Sequence, residues 1–431
     1  VNDLDAVEVE PRPCWIAGHA EQGERIITVR HPYDGTEVAD VAVPGAAQVE
    51  HAVAAAHRAT PLPRHARADV LRRLATLVAD RAEEIAETIT AENGKPLGAA
   101  HVEVTGAVAT CTGAVDAIDL VTGGPRRADD GFAMTRRRSR GPLLAVTPFT
   151  APLLEVVRQV AAAVAVGAPI VLRPAVQTPM TALLLGEILA ETGLPAGAFS
   201  VLPVPDVAAL AADPRLPVVS CTGTRSAGLA IADAAPRKHV VLTPDGDTAA
   251  VVCPDWTELD AAAERIAARM VRRVLVHASV ADAFVPRLVT AVAALRTGDP
   301  HDPSVAVGPL IDETTAAWTA DWLASCGGEV LTGGTMAGTS LAPTVLRDVT
   351  AEVGDVTGPI VVVSVVDSVA TGLARASGTR VGVFTRDLRT AFDAGDIDAD
   401  HVTVGDVPAD MGVEATVLDI TRPQVTVFRT G

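Results

Sequence analysis

The sequence predicts an α/β protein built from two doubly wound parallel sheets. Three observations carry that expectation. At 431 residues the chain is too long for one ordinary core, so two domains are expected. From Pro142 onward, short apolar segments alternate with helical ones in a strand–helix–strand rhythm. A second run of the same rhythm begins near Thr248.

Taken in order, Arg25–Val29 and Glu37–Val43 read as short strands around the turn-rich Pro32–Gly35. Ala46–Ala59 and Ala66–Thr90 read as helices. On the second, Leu71, Leu74, Val78, Ile85 and Ile89 recur at helical spacing, and Gly94 with Pro96 closes it. Val102–Leu120 is a third helix, and Met134–Arg140 is a basic extended piece. The strands Leu143–Thr147, Ile170–Leu172, Phe199–Leu202, Val218–Cys221 and Val240–Thr243 then alternate with helices Leu153–Val166, Thr178–Glu191 and one opening after Gly223. The second unit has helix Glu258–Met270, strand Arg273–His277, helices Val280–Leu295 and Glu313–Ala324, and strands near Val330 and Val361. Its last strands are Val381–Thr385 and Val402–Gly405. The tail Ala415–Phe428 reads as extended, with Pro423 marking an edge position.

Composition narrows the function classes. Apolar residues make up 48% and no polar low-complexity tract interrupts them, so the chain is globular. A net charge of −18 argues against a nucleic-acid or anionic-membrane partner. The longest apolar run, Val160–Leu172, is too short to cross a bilayer. Five scattered cysteines (Cys14, Cys111, Cys221, Cys253, Cys326) show neither a disulfide framework nor metal-ligand spacing. With no basic-then-apolar signal pattern in Val1–Pro11, a cytoplasmic location is expected. His239 and His277 lack metal spacing and read as structural, and Arg136, Arg137, Arg138 and Arg140 read as an intersubunit strand or a solvated edge. The only lysines are Lys95 and Lys238, so any lysine chemistry must use one of these.

The ordered motifs are Thr147-Pro148-Phe149, Arg173-Pro174-Ala175, Gly193-Leu194-Pro195-Ala196-Gly197 and Cys221-Thr222-Gly223-Thr224. They continue with Gly298-Asp299-Pro300, Val307-Gly308-Pro309-Leu310, Leu331-Thr332-Gly333-Gly334, Gly358-Pro359 and Val383-Phe384-Thr385-Arg386-Asp387. In this order and spacing the chain resembles the NAD(P)-dependent aldehyde dehydrogenase superfamily over nearly its whole length. The resemblance implies a dinucleotide-binding-like domain over residues 1–122 and 142–247 and a shortened catalytic-like domain over 248–400. It also implies an oligomerising β-arm over 123–141 and 401–431, and hence a homo-dimer or tetramer.

That family uses a cysteine thiolate as nucleophile, an asparagine and a backbone N–H as oxyanion donors, and a glutamate to activate water. Here the helix ending near Met270 runs directly into strand Arg273–His277, where the resemblance places the cysteine loop. Thr150 stands at the asparagine position, Thr243 at the glutamate, and Arg173 at the ribose lysine. Val176 stands at the acidic ribose partner, and Asp355 replaces a longer carboxylate. The glycine- and lysine-containing loop expected near Met411 is also missing.

What survives is a turn bracketed by Gly223 and Gly228, opening a helix whose N–H groups suit a phosphate. Arg173, Thr222, Gly223, Thr224 and Gly228 are therefore the cofactor-site candidates, for NAD or NADP. Thr150, Thr243, Asp245, Asp247 and Asp355 converge by resemblance on the former catalytic funnel, where carboxylates can do acid–base work or remain a solvated acidic loop. Cys221 reads as a small buried apolar residue or, at the strand end, a reactive thiol. The expectation is a catalytically degenerate binding or scaffolding protein, with a small-molecule ligand or partner chain. The alternatives are a repurposed non-redox enzyme acting on a carbonyl compound, and an NAD(P)-dependent aldehyde oxidoreductase of unusual mechanism.

Overall fold

The computed structural model describes residues 10–128, 131–246, 248–351, 353–354, 356–409 and 412–429. Two seven-stranded sheets and a three-stranded sheet organise it. The first sheet runs in the order His239–Pro244, Val218–Gly223, Leu143–Val146, Ile170–Arg173, Phe199–Val201, Cys14–Ile16, His19–Glu21. Its first five strands are parallel, and the last two add antiparallel. The second sheet runs Glu329–Thr332, Thr344–Arg347, Ile360–Val366, Arg273–His277, Thr248–Val252, Gly378–Phe384, Ala399–Val404, parallel apart from the first pair.

The central strands are near-continuous apolar runs because helices cover both faces of each sheet. Helix Leu154–Val166 is buried on almost every residue, lying between the first sheet and an outer helical layer. Helix Leu97–Ala117, with the short turn after it, is long and apolar enough by composition to span a bilayer. In the fold it turns Ala100, Val104, Ala107, Cys111 and Ala114 inward and packs against helices Arg64–Asp80 and Leu154–Val166.

The structure departs from the sequence reading in three places. The long helix expected over 66–90 is two helices, Arg64–Asp80 and Ala82–Asn93, with Arg81 at the join bonded to Glu84 and Glu187. Strand Ala399–Val404 pairs with Gly378–Phe384, so it belongs to the second sheet and not to the arm. The tail is not wholly extended, because Val413–Asp419 is a helix. Val413, Val417 and Ile420 pack into the first core from helical spacing, and that burial overrides the β-branched composition. The remainder, Thr421–Arg429, pairs antiparallel with Gly131–Ser139, which pairs with Gly124–Ala128.

Candidate active-site cleft

Strand order locates the site. From Leu143–Val146 the chain builds the first sheet one way through Ile170–Arg173 and Phe199–Val201. It then returns to the other side with Val218–Gly223 and His239–Pro244. The carboxy ends of Leu143–Val146 and Val218–Gly223 thus flank a topological switch point, where the connecting segments diverge and leave a crevice. The segment after Leu143–Val146 carries Thr150, and the turn after Val218–Gly223 opens helix Arg225–Ala234.

The Thr150 segment is pinned from the outer helices. Asn93 Nδ2 donates to the Phe149 carbonyl at 2.6 Å, and Lys95 Nζ donates to the Thr150 carbonyl at 2.9 Å. Lys95 also pairs with the buried Glu103, whose other oxygen accepts from the Leu153 and Leu154 N–H groups at 2.8 and 2.9 Å. Thr150 Oγ1 donates to the Asp245 carboxylate. The Asp245 N–H donates to the Gly223 carbonyl at 2.8 Å, which fixes that carboxylate at the mouth of the crevice.

Behind this pair lies a buried ion pair on helix Leu154–Val166. Glu155 and Arg158 bond one turn apart, with only 11% and 8% of their side chains exposed. Burial raises the Glu155 carboxyl above its ordinary range, Arg158 and Arg380 oppose that, and Asp245 adds to it.

A cavity of about 160 Å³ is walled by Cys221, Gly223, Thr224, Gly228, Leu242 and Thr243 among others. A Cβ on Gly223 would meet nothing, so the backbone faces open space there. Thr224 caps the ten-residue helix by accepting from the Ala227 N–H at 3.3 Å. Gly228 packs its Cα face against Leu242. The positive end of this helix, beside an open glycine, suits a phosphate-bearing ligand.

Of the sequence candidates, Thr150 and Asp245 meet, and Gly223, Thr224, Gly228 and Thr243 share the cavity. Thr243 sits opposite Thr222 in the sheet. Thr222 is buried with its Oγ1 lacking a hydrogen-bond partner, beneath the cavity and outside its wall. Arg173 lies near enough to Cys221 to act on its charge but is not among the residues walling the cavity. Its Nε and one terminal nitrogen donate to the Val204 and Pro205 carbonyls at 3.0 Å each, because its strand ends beneath that loop. Asp247 and Asp355 lie outside the described residues, as does Met411. Glu103, Glu155 and Arg158 are site residues that the structure adds. Their signal was available in charged residues embedded in otherwise apolar helices, though helical periodicity alone assigned those helices to the core.

The thiols are unpromising nucleophiles. All five are buried, and burial pushes Cys221 up to about 11 and Cys253 to about 12. Between helix Leu259–Arg269 and strand Arg273–His277 only Met270, Val271 and Arg272 intervene, Met270 with φ of 43°. Arg272 turns back to bond the Val356 carbonyl.

The family model described as "Aldehyde dehydrogenase family" matches residues 15–411. A 3-sulfolactaldehyde dehydrogenase of Pseudomonas putida is 32% identical over 364 residues, 78% of this chain and 74% of its own. A succinate-semialdehyde dehydrogenase [NADP(+)] of Escherichia coli is 30% identical over 412 residues, 88% of this chain and 85% of its own. Among solved structures, aldehyde dehydrogenase 21 from Physcomitrella patens in complex with the reaction product succinate aligns with a TM-score of 0.90 at 28% identity, covering 98% of this chain and 99% of that one. An NAD-dependent benzaldehyde dehydrogenase from Corynebacterium glutamicum aligns at 0.89 and 26% identity, covering 98% of both. Relatives this similar are named as aldehyde-oxidising enzymes, which overturns the expectation of a catalytically degenerate scaffold and favours the oxidoreductase alternative. The switch-point crevice, the phosphate-suited helix start and a match spanning residues 15–411 agree that this chain belongs to the aldehyde dehydrogenase family.

Proposed function

We propose that this protein is an NAD(P)-dependent aldehyde oxidoreductase whose base is Asp245 and whose reaction does not pass through a cysteine. The single observation that carries the reading is the Thr150–Asp245 hydrogen bond at the crevice, tied by the Asp245 backbone to the phosphate-suited turn at Gly223. Gly223, Thr224 and Gly228 would hold the dinucleotide through its phosphates. When bound, the nicotinamide supplies an acceptor for a hydride.

The remaining chemistry belongs to the chain. The substrate enters as the hydrated aldehyde, a geminal diol. Asp245 accepts a proton from one hydroxyl while Thr150 holds the carboxylate in place. As that O–H bond breaks, the carbon–oxygen double bond of the acid forms and the carbon's hydride leaves, so the substrate is oxidised by two electrons without a covalent enzyme intermediate. The Glu155–Arg158 pair lies near enough to Asp245 for the two carboxylates to repel. Small carboxylate- or sulfonate-bearing aldehydes, the compounds for which several relatives are named, are the substrates to try first.

The test is formation of NADH or NADPH with succinate semialdehyde and benzaldehyde. Asp245→Asn should lower kcat by about 10²- to 10⁴-fold, as for loss of a positioned general base. Abolition of the rate by Cys221→Ala, with Asp245→Asn inert, would overturn the mechanism. The reading includes a reducing, cytoplasmic setting, consistent with five free thiols. It also includes self-association through the arm, whose Phe132, Val425, Val427 and Phe428 stay about half exposed. A monomer in sedimentation velocity at micromolar concentration would remove that last part.

A further inference from the structure

A larger cavity, about 270 Å³, lies beside the crevice between helix Arg225–Ala234 and helix Glu313–Ser325. Arg225, Ser226 and Leu229 form one wall, and Trp318, Trp322 and Val356 the other. It shares Arg225 and Leu229 with the smaller cavity, so the two adjoin across the first turn of the helix that opens at Thr224. Together they approach the size range of small-molecule and cofactor sites.

Its aromatic wall is unusual for this chain. Only four tryptophans are present in 431 residues. Trp15 packs with Phe199 against the first core, and Trp256 with Phe384 inside the second. Trp318 and Trp322 sit one helical turn apart on the helix face that walls the cavity; Trp322 also packs against the neighbouring core, and Trp318 is the exposed ring. Trp318 is 48% exposed and Leu229 opposite is 52% exposed, an apolar pair left facing solvent across a gap. Arg225 and Ser226 supply the polar end, at the turn where helix N–H groups favour an anion. An apolar wall with flat π faces and a cationic, donor-rich end suits a planar heteroaromatic ring attached to a phosphate.

We propose that Trp318 and Trp322 form a stacking platform for a heteroaromatic ring of the dinucleotide, with Arg225 and Ser226 on its phosphate side. The assignment rests on the proposed use of NAD or NADP. It makes ring stacking between the two domains, in place of charged contacts to the ribose, a main source of cofactor affinity. It also makes the cofactor a bridge across the cavity that joins a first-sheet helix to a second-sheet helix.

The test uses the full chain, with tryptophan fluorescence and calorimetric titration of NAD and NADP as separate probes. Saturation of the wild type should quench part of the indole emission, because stacking requires contact. Trp318→Ala should weaken the Kd by about tenfold or more, the scale of one lost base–aromatic stack. Trp318→Phe, which keeps a flat ring, should recover most of it. Trp318 is half exposed, so its replacement leaves the core intact, and Trp322→Phe serves as the gentler probe of the partly buried ring. Tight binding with unchanged Kd and quenching in Trp318→Ala would overturn the stacking assignment and leave the oxidoreductase reading standing. Absence of binding by either dinucleotide to the wild type would overturn both.

Discussion

The two seven-stranded sheets follow one plan, but they differ in what they bury. Among the described residues, the buried charged side chains Glu92, Glu103, Glu155 and Arg158 all belong to the helices around the first sheet. The buried polar residues of the second sheet and its helices are threonines, such as Thr319, Thr344 and Thr385. A layered α/β core has no need of buried charge, and ionised groups are costly to bury unless paired. Two of them, Glu92 and Glu103, accept from the first N–H groups of helices that pack on the first sheet. Glu103 accepts from Leu153 and Leu154, Glu92 accepts from Met180 and Thr181, and the less buried Asp245 accepts from Thr150 at the crevice. The second sheet contributes its site through reach, with Arg272 and the tryptophan helix extending toward the crevice.

The sharpest way to break this contrast is Arg158→Met. It leaves Glu155 buried without its partner and should cost about 3–5 kcal/mol in a denaturant titration, whereas Glu155→Leu with Arg158→Met together should be nearly neutral. If the single change is as mild as the double one, the first sheet's buried charge has no special standing.

Next in size is Glu92→Gln. Burial pushes the Glu92 carboxyl up to about 7 from 4.5, despite its bonds to the Met180 and Thr181 N–H groups. The sign follows directly. The folded state holds this proton more tightly than the unfolded chain, so the stabilisation is complete below about pH 4.5 and is lost as pH rises through about 7. The wild type should lose on the order of 3 kcal/mol relative to Glu92→Gln between those limits. Parallel stability–pH curves for the two proteins would contradict the assignment.

The sheets were largely legible in the sequence, because apolar strands buried on both faces leave a local signature that survives without knowledge of their partners. The strand runs near Leu143, Ile170, Val218 and Arg273 lie within a residue or two of where they were expected. The Val413–Asp419 helix was not legible, since its β-branched residues favour extension until the first core offers them a face to fill. The site was legible only in part. The helix-opening turn at Gly223 is legible from spacing, whereas the engagement of Arg173 by the Val204 and Pro205 carbonyls is set by a distant loop. Glu155 and Arg158 are not legible inside an apolar helix, because periodicity reports which face is buried and not what a buried charge answers.

By itself, then, the sequence determined the alternation of strand and helix, the family and the short passage from Met270 to Arg273, all written in neighbouring residues. Tertiary structure alone decided that Thr150 would meet Asp245 from 95 positions away and that Trp318 would face Arg225 across a cavity. Burial patterns are local and repeat with the backbone's own period. A hydrogen bond or a cleft wall between distant segments depends on how whole layers pack, which no local period encodes.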